Sequence, residues 1–333
     1  FGGINMKKVI IAITIMFLSI VLVTGENIYA KSKKEIIQGN KLIEYSGNAK
    51  EYIVPKEVKV IQADAFAKAK KLKKVTIHKN VKSIRTSYRG TLYAPKLEKI
   101  IVAKTNKKYA SYKGCLYKKN MKQLLAVPYY AKELYMSDKC IGIADEARYT
   151  PYLDSIRIGK NFIDSGYDEM ECSPLKAKNK VTVAKGNAVF SEKNGVIYYK
   201  KGNDMFLYSI PTDLVLSENF EVPANVSRIQ SLSNNHIRKL IIPKSVKYTE
   251  CGAIQLPNLE EMEIANDCSG IFFWSKTLSN CPNLKKIIIT NDNAAMPTTE
   301  LNLKWNEEVV IYSRVNSTSH KYAVENNLQW TSF

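Results

Sequence analysis

The residues best suited to chemistry are few and scattered. Two acidic groups stand out, Glu260, Glu261 and Glu263 in one segment and Asp168, Glu169 and Glu171 in another. In a strand, Glu261 and Glu263 fall on the same face, and a pair of carboxylates so placed can serve glycoside hydrolysis. Lys285 and Lys286 stand in the corresponding segment 25 residues further on. A polar strand face neutralised by lysines accounts for the same spacing without catalysis. The three histidines, His78, His236 and His320, are far apart and read as surface residues. No His-x-x-x-His, Cys-x-x-Cys, GxSxG or GxxxxGK[ST] pattern occurs, so the common metal, nucleophile and phosphate signatures are missing. The sequence points away from an enzyme: no catalytic residue, cofactor or metal ion is expected.

The basic residues are more numerous, and their number is a signal in itself. Ahead of them, Val9 to Val23 is an apolar run preceded by Lys7 and Lys8 and followed by a polar step ending in Ala30. That is the order of a secretory signal peptide. Its ~15 residues fall short of the ~20 that a helix needs to cross a bilayer. Met6 is read as the start, residues 1–5 as a translated upstream sequence, and Ala30 as the cleavage point. Removing residues 1–30 takes away Lys7, Lys8 and Glu26, leaving 48 basic against 30 acidic residues and a formal charge of +18. Outside a cell such a charge favours anionic neighbours. All six cysteines, at 115, 140, 172, 251, 268 and 281, remain in the exported part. An even number there permits disulfides, although Cys281 falls where a small buried residue is wanted, a role free cysteine fills well.

These residues must be positioned by a repeat. The phrase Leu-x-x-Ile-x-Ile occurs as LKKVTI (72–77), LEKIIV (97–102), LDSIRI (153–158), IRKLII (237–242), LEEMEI (259–264) and LKKIII (284–289). A second phrase, a turn often opened by Pro and then Val-x-x-Ile, occurs as VPKEVKVI (54–61), IHKNVKSI (77–84), VPANVSRI (222–229) and IPKSVKYT (242–249), with MSDKCIGI (136–143) a weaker copy. Neighbouring copies of the first phrase are 22 or 25 residues apart, which is the leucine-rich-repeat range. One such unit cannot bury its apolar face alone. Stacking would align Leu72, Leu97, Leu153, Leu259 and Leu284 as one buried ladder and Ile77, Val102, Ile158, Ile264 and Ile289 as another, stabilised by contacts between neighbours.

Two longer segments match each other. Asn106, Tyr109, Ser111, Gly114, Leu116 and Tyr117 correspond to Asn187, Phe190, Ser191, Gly195, Ile197 and Tyr198. Each reads as a hairpin turning at its glycine, and a partial third copy spans Gly39 to Tyr52. Ala63-Asp64-Ala65-Phe66 resembles the "AF" spine of BspA-like repeats, with Tyr88 near where a Phe would recur. The C-terminus resembles the closing element of BspA-like proteins, and that resemblance implies a strand at Val309 to Tyr312, a helix cap at Ser317 or Thr318, helix at Tyr322-Ala323 and a plug of Leu328 with Trp330. The repeat, the Asn-x-x-Tyr/Phe-x-Ser…Gly-x-Leu/Ile-Tyr insert and this closing element together resemble the BspA-like leucine-rich-repeat proteins, over about residues 39–330. The Asp that the family places before the insert glycine is replaced here by Lys113 and Asn194.

The expected architecture is a β-rich solenoid (α+β) with short helices or turns on its outer face, two hairpin inserts and a C-terminal cap. Its expected divisions are 1–5 (translation artefact), 6–30 (signal peptide), 31–38 (linker), 39–308 (repeat array, inserts near 104–130 and 184–212) and 309–333 (cap). The resemblance implies a secreted or surface-held bacterial protein associated with adhesion. The expected binding surface is the outward row of the repeat sheet: Lys73, Lys74, Thr76, Lys99, Ile101, Arg157, Arg238, Lys239, Ile241, Lys285, Lys286 and Ile288. The partner expected there is an extracellular protein or an acidic polymer of host matrix, glycan or bacterial wall, with membrane contact confined to the signal peptide. The alternative is a structural spacer held by charge on the bacterium's own anionic wall.

Overall fold

A computed structural model describes residues 34–163, 174–250, 252–265, 280–296 and 308–333. The signal-peptide segment, the acidic group at 168–171 and Cys172, Cys251 and Cys268 lie outside the described residues. Each Leu-x-x-Ile-x-Ile phrase becomes one short strand. Lys74–Ile77 pairs in parallel with Lys99–Val102, placing Val75 opposite Ile100 and Ile77 opposite Val102. Glu261–Ile264 pairs likewise with Lys286–Ile289. Such strands form parallel sheets of three, three and six members along one side of the chain. The leading Leu and the two following apolar residues of every phrase are buried, so both ladders are present as expected.

The second phrase supplies the opposite wall. Val60–Ile61 pairs in parallel with both Lys41–Tyr45 and Ser83–Ile84, and Arg228–Ile229 with Asp204–Ser209 and Tyr248–Thr249. Before these strands the chain makes the same turn each time: Val58, Val226 and Val246 donate their N–H to the carbonyls of Pro55, Pro223 and Pro243 at 3.1, 2.9 and 3.2 Å. Proline's fixed φ presets the opening position of such turns. Cys140 takes the valine position in the weaker copy, donating to Ser137 at 2.9 Å, and is fully buried.

The inserts are three-stranded meanders rather than simple hairpins. Tyr109–Tyr112, Cys115–Lys118 and Gln123–Ala126 pair antiparallel in sequence, as do Phe190–Lys193, Val196–Lys201 and Asp204–Ser209. Both first turns hold two residues at positive φ, Lys113 (49°) with Gly114 (85°) and Asn194 (54°) with Gly195 (80°). That is the backbone a two-residue hairpin of matching twist requires. The third strand of each meander rejoins the second wall in parallel, so the insert is spliced into the ladder. Its middle strand also divides the interior. Leu116 belongs to the N-terminal core whereas Cys115 and Tyr117 belong to the middle one, and Ile197 faces that middle core while Val196 and Tyr198 face the C-terminal one. The alternation of a strand thus lets one segment seal two compartments.

Helix is scarce among the described residues: one turn of 3-10 helix at Asp145–Ala147 and the C-terminal helix Thr318–Glu325. Ser317 caps that helix by accepting from the His320 N–H at 3.1 Å. Val310–Tyr312 and Trp330–Thr331 then add the last two strands to the main sheet, closing it as the cap pattern predicts.

Several expectations are corrected. Tyr88 does not fill the spine; it is 88% exposed, and Leu92 is the buried residue of that turn. The histidines are half-buried rather than open: His320 stacks on Trp330 with centroids 4.0 Å apart, and the Nδ1 atoms of His78 and His320 accept from the N–H of Asn80 and Asn316.

Candidate repeat-sheet site

The twelve predicted residues fall along the outer sides of the three parallel sheets, which together make up the main sheet face, in two registers. Lys74, Thr76, Lys99, Ile101, Arg157, Lys239, Ile241, Lys286 and Ile288 lie within strands, at positions alternating with the buried ladder. Lys73, Arg238 and Lys285 immediately precede their strands and are exposed. The three isoleucines, expected to be exposed, are half-buried. Parallel pairing explains this, since Ile241 is flanked by Glu221 and Glu263, and Ile288 by Glu263 and Tyr312.

The charges on this face largely neutralise one another between neighbouring turns. Lys73 pairs with Glu98 at 2.6 Å, Lys74 with Glu51 at 2.7 Å and Arg157 with Asp138 at 2.8 Å. Arg238 bridges Glu218 at 3.5 Å and Glu260 at 2.5 Å. Lys239 meets Glu261 at 2.6 Å and Glu263 at 3.4 Å, and Lys286 reaches Glu261 at 3.2 Å. Lys99 and Lys285 form no ion pair with a described residue. The ionisation follows the geometry. Burial pushes the Glu261 carboxyl upward, but hydrogen bonds from Lys239 and Lys286 outweigh it and hold it below the usual glutamate range. Lys239 is raised by its hydrogen bond to Glu261, and Asp138 is lowered by that from Arg157. Aromatic rings complete the row: Arg157 lies 4.5 Å from the Tyr135 ring centre, and the Lys286 ammonium 4.6 Å from that of Tyr312.

Glu261 and Glu263 therefore act as partners for lysine, and a carboxylate held ionised between two ammonium groups is ill suited to donate a proton. Among the described residues no three His, Cys, Asp or Glu side chains come together as a metal-binding group. Cys115, Cys140 and Cys281 are buried, and Cys115 and Cys281 are free.

Sequence reasoning passed over the asparagines that tie turn to turn. Asn106 donates to the carbonyls of His78 and Val81, both at 3.0 Å, and accepts from the N–H of Lys108 and Tyr109 at 2.8 and 2.9 Å. Asn187 repeats this with Gly159, Phe162, Val189 and Phe190. Their shared place at the head of both inserts was the available signal.

The profile of the BspA type leucine rich repeat region matches residues 30–126 and 215–319, in six copies. This chain belongs to the BspA-type leucine-rich-repeat family. The gap between the two matched stretches contains the second insert and the three-stranded parallel sheet of Glu133–Tyr135, Ser155–Ile158 and Lys180–Val183. Among solved structures, this BspA-type chain is similar to a leucine rich cell surface protein from Faecalibacterium prausnitzii A2-165 (14% identity, 91% of this chain and 94% of that one, TM-score 0.45). It is similar to a leucine-rich repeat protein from Eubacterium ventriosum ATCC 27560 (14%, 83% and 80%, 0.46) and to the pneumococcal vaccine antigen PcpA (16%, 85% and 67%, 0.36). At such TM-scores the fold rests on the repeat match and the strand pairing. No curated protein matches the sequence. Among the described residues no helix is long and apolar enough to cross a membrane.

Proposed function

We propose that this chain is an exported bacterial binding protein, secreted or held at the cell surface, which docks a protein partner on the outer row of its main sheet. The observation carrying this reading is that six of the eight basic side chains on that face already have carboxylate partners within it. A polyanion would have to displace those partners. A protein surface needs only complementary polar contacts around apolar ones, where rim charges tune encounter and central contacts hold. Ile101, Ile241 and Ile288 supply the apolar contacts. The adhesion associated with the family is the biological form such docking would take.

The test is a binding screen of residues 31–333 against matrix proteins, acidic glycans and wall polymers. Two variants follow: one with Ile101, Ile241 and Ile288 changed to Ser, and one with Lys73, Lys74, Lys99, Arg157, Arg238, Lys239, Lys285 and Lys286 neutralised. Protein docking is expected to weaken in the first at both low and high salt. Binding that is lost only in the second and fades with salt, as the Debye length shrinks from ~10 Å at 0.1 M to ~3 Å at 1 M, would replace this reading by charge capture. Retention on the bacterium's own wall, released by a high-salt wash, would favour the spacer role.

A further inference from the structure

A second surface lies away from the sheet, around a small hairpin. Thr86–Ser87 and Gly90–Thr91 pair antiparallel, with Tyr88 and Arg89 at the tip. Gly90 makes the placement possible: its φ is +110°, and a Cβ there would stand 3.2 Å from the Glu146 carbonyl. The hairpin is thereby seated directly on the turn at Asp145–Ala147.

Beside it opens a trough of about 680 Å³, within the ~300–1,000 Å³ of small-ligand sites. The first insert creates it by interrupting the second wall. Ser83–Ile84 is the last strand of its sheet, and in place of another strand the Tyr109 hydroxyl accepts the Ile84 N–H at 3.1 Å. The lining is apolar at Ile84, Tyr109, Leu125 and Ala144, with Thr86, Thr91, Asn120 and Glu146 offering hydrogen bonds. Lys107, Lys108, Lys118 and Lys119 also line it and are exposed. Unlike Lys73, Lys74, Lys239 and Lys286 of the sheet, these four form no ion pair with a described carboxylate. The Lys119 ammonium rests on the Lys104 carbonyl at 2.8 Å.

An aromatic cluster begins within three residues of two of the lining positions, Thr91 and Glu146. Tyr93 stands two residues beyond Thr91, and Tyr149 three beyond Glu146. The Tyr129 ring lies 4.9 Å from that of Tyr93, 5.5 Å from Tyr152 and 6.0 Å from Tyr149. Arg89 covers Tyr88 and Tyr93 at 5.3 and 5.6 Å, while Lys132 covers Tyr130 and Tyr152 at 5.0 and 5.5 Å. Tyr149 is 65% exposed. Tyr93, Tyr129, Tyr130 and Tyr152 are half-buried beside it, and tyrosine offers an apolar face and a hydroxyl at little entropic cost.

We propose that the trough and the tyrosine cluster form one binding site for an acidic polysaccharide, a chain of pyranose rings bearing carboxylate or sulfate groups. The apolar floor and the rings accept the C–H faces of the sugars. The four unpaired lysines, with Arg89 and Lys132, meet the anionic groups. Glu146 and the threonines take the hydroxyls. The steep angles of Tyr129 to Tyr93 (75°) and Tyr152 (82°) suit puckered sugars better than successive flat bases. This site is separate from the sheet face and does not rest on it.

The experiment measures affinity of residues 31–333 for heparin, hyaluronan, neutral dextran and single-stranded DNA. Binding to heparin or hyaluronan but not to dextran is expected. It should weaken by about tenfold or more on changing Lys107, Lys108, Lys118 and Lys119 to Gln, the summed effect of four exposed charge contacts. Tyr88→Ala with Tyr149→Ala should weaken it at high salt as well, and all these side chains are exposed enough for the melting curve to stay unchanged. The Ile101, Ile241 and Ile288 to Ser variant should bind polysaccharide normally, which separates this site from protein docking on the sheet. No binding to either acidic polysaccharide, tighter binding to DNA, or indifference to either the lysine or the tyrosine changes would overturn the proposal.

Discussion

Replacing Asn106 by Ala should destabilise the first insert by more than any surface change nearby. The side chain is 1% exposed and makes four hydrogen bonds, two to carbonyls of the preceding turn and two from N–H groups of its own. The bond to Val81 is fully buried, and its loss strands a carbonyl at a cost of about 1–3 kcal/mol. The other three lie nearer solvent, where water can replace part of the bond, and are worth about 0.5–1 kcal/mol each. The sum is about 2.5–6 kcal/mol. Urea unfolding followed by fluorescence and by hydrogen exchange would measure it, with protection lost first at the amides of residues 106–118. Asn120→Ala is the control: that exposed side chain accepts a single bond from the Lys122 N–H and should cost under about 1 kcal/mol. Equal losses in the two variants would refute the reasoning.

Leu153→Asp should cost several kcal/mol, because it places an unpaired charge in a dry ladder, whereas Lys73→Asp disturbs only an exposed pair with Glu98 and should cost under ~1 kcal/mol by the same denaturation assay. Burial pushes the Cys115 thiol up to about 12 and that of Cys281 to about 11, from an ordinary value of 9.0. Below 9.0 both states hold the protons. As pH rises from there the unfolded chain releases them first, so these thiols should remove stability between pH 9 and about 11–12, and Cys281→Ala should flatten that part of a stability–pH curve. Removing residues 309–333 should uncover the edge of Lys286–Ile289 and produce association detectable by light scattering, since an unpaired strand edge templates further pairing.

Much of the fold was legible because period-2 alternation carries its own proof: the leading Leu or Ile and the two alternating apolar residues of each of the six phrases are buried. The inserts were visible as a repeated string, yet their third strands were not, because Gln123–Ala126 and Asp204–Ser209 differ in sequence and are defined by what they pair with. The predicted site was legible as positions and opaque as electrostatics. Lys239 and Glu261 are neighbours only through a parallel register that no local pattern states. The tyrosine cluster was hidden for the same reason, its members coming from turns up to 59 residues apart in sequence, Tyr93 to Tyr152.

The ion pairs that link one turn to the next act as an address. Lys239 faces Glu261 and Glu263 on the following strand, and Lys286 faces Glu261 on the preceding one. Exchange the strands carrying 261 and 286, and Lys239 would meet Lys286 and lose both Glu261 and Glu263. Turns that look interchangeable in their apolar phrase are thus distinguishable in their polar one. A gene built by duplicating such units would accumulate order as it accumulated charge, and later shuffling or deletion of a single unit would be selected against by its neighbours rather than by any ligand.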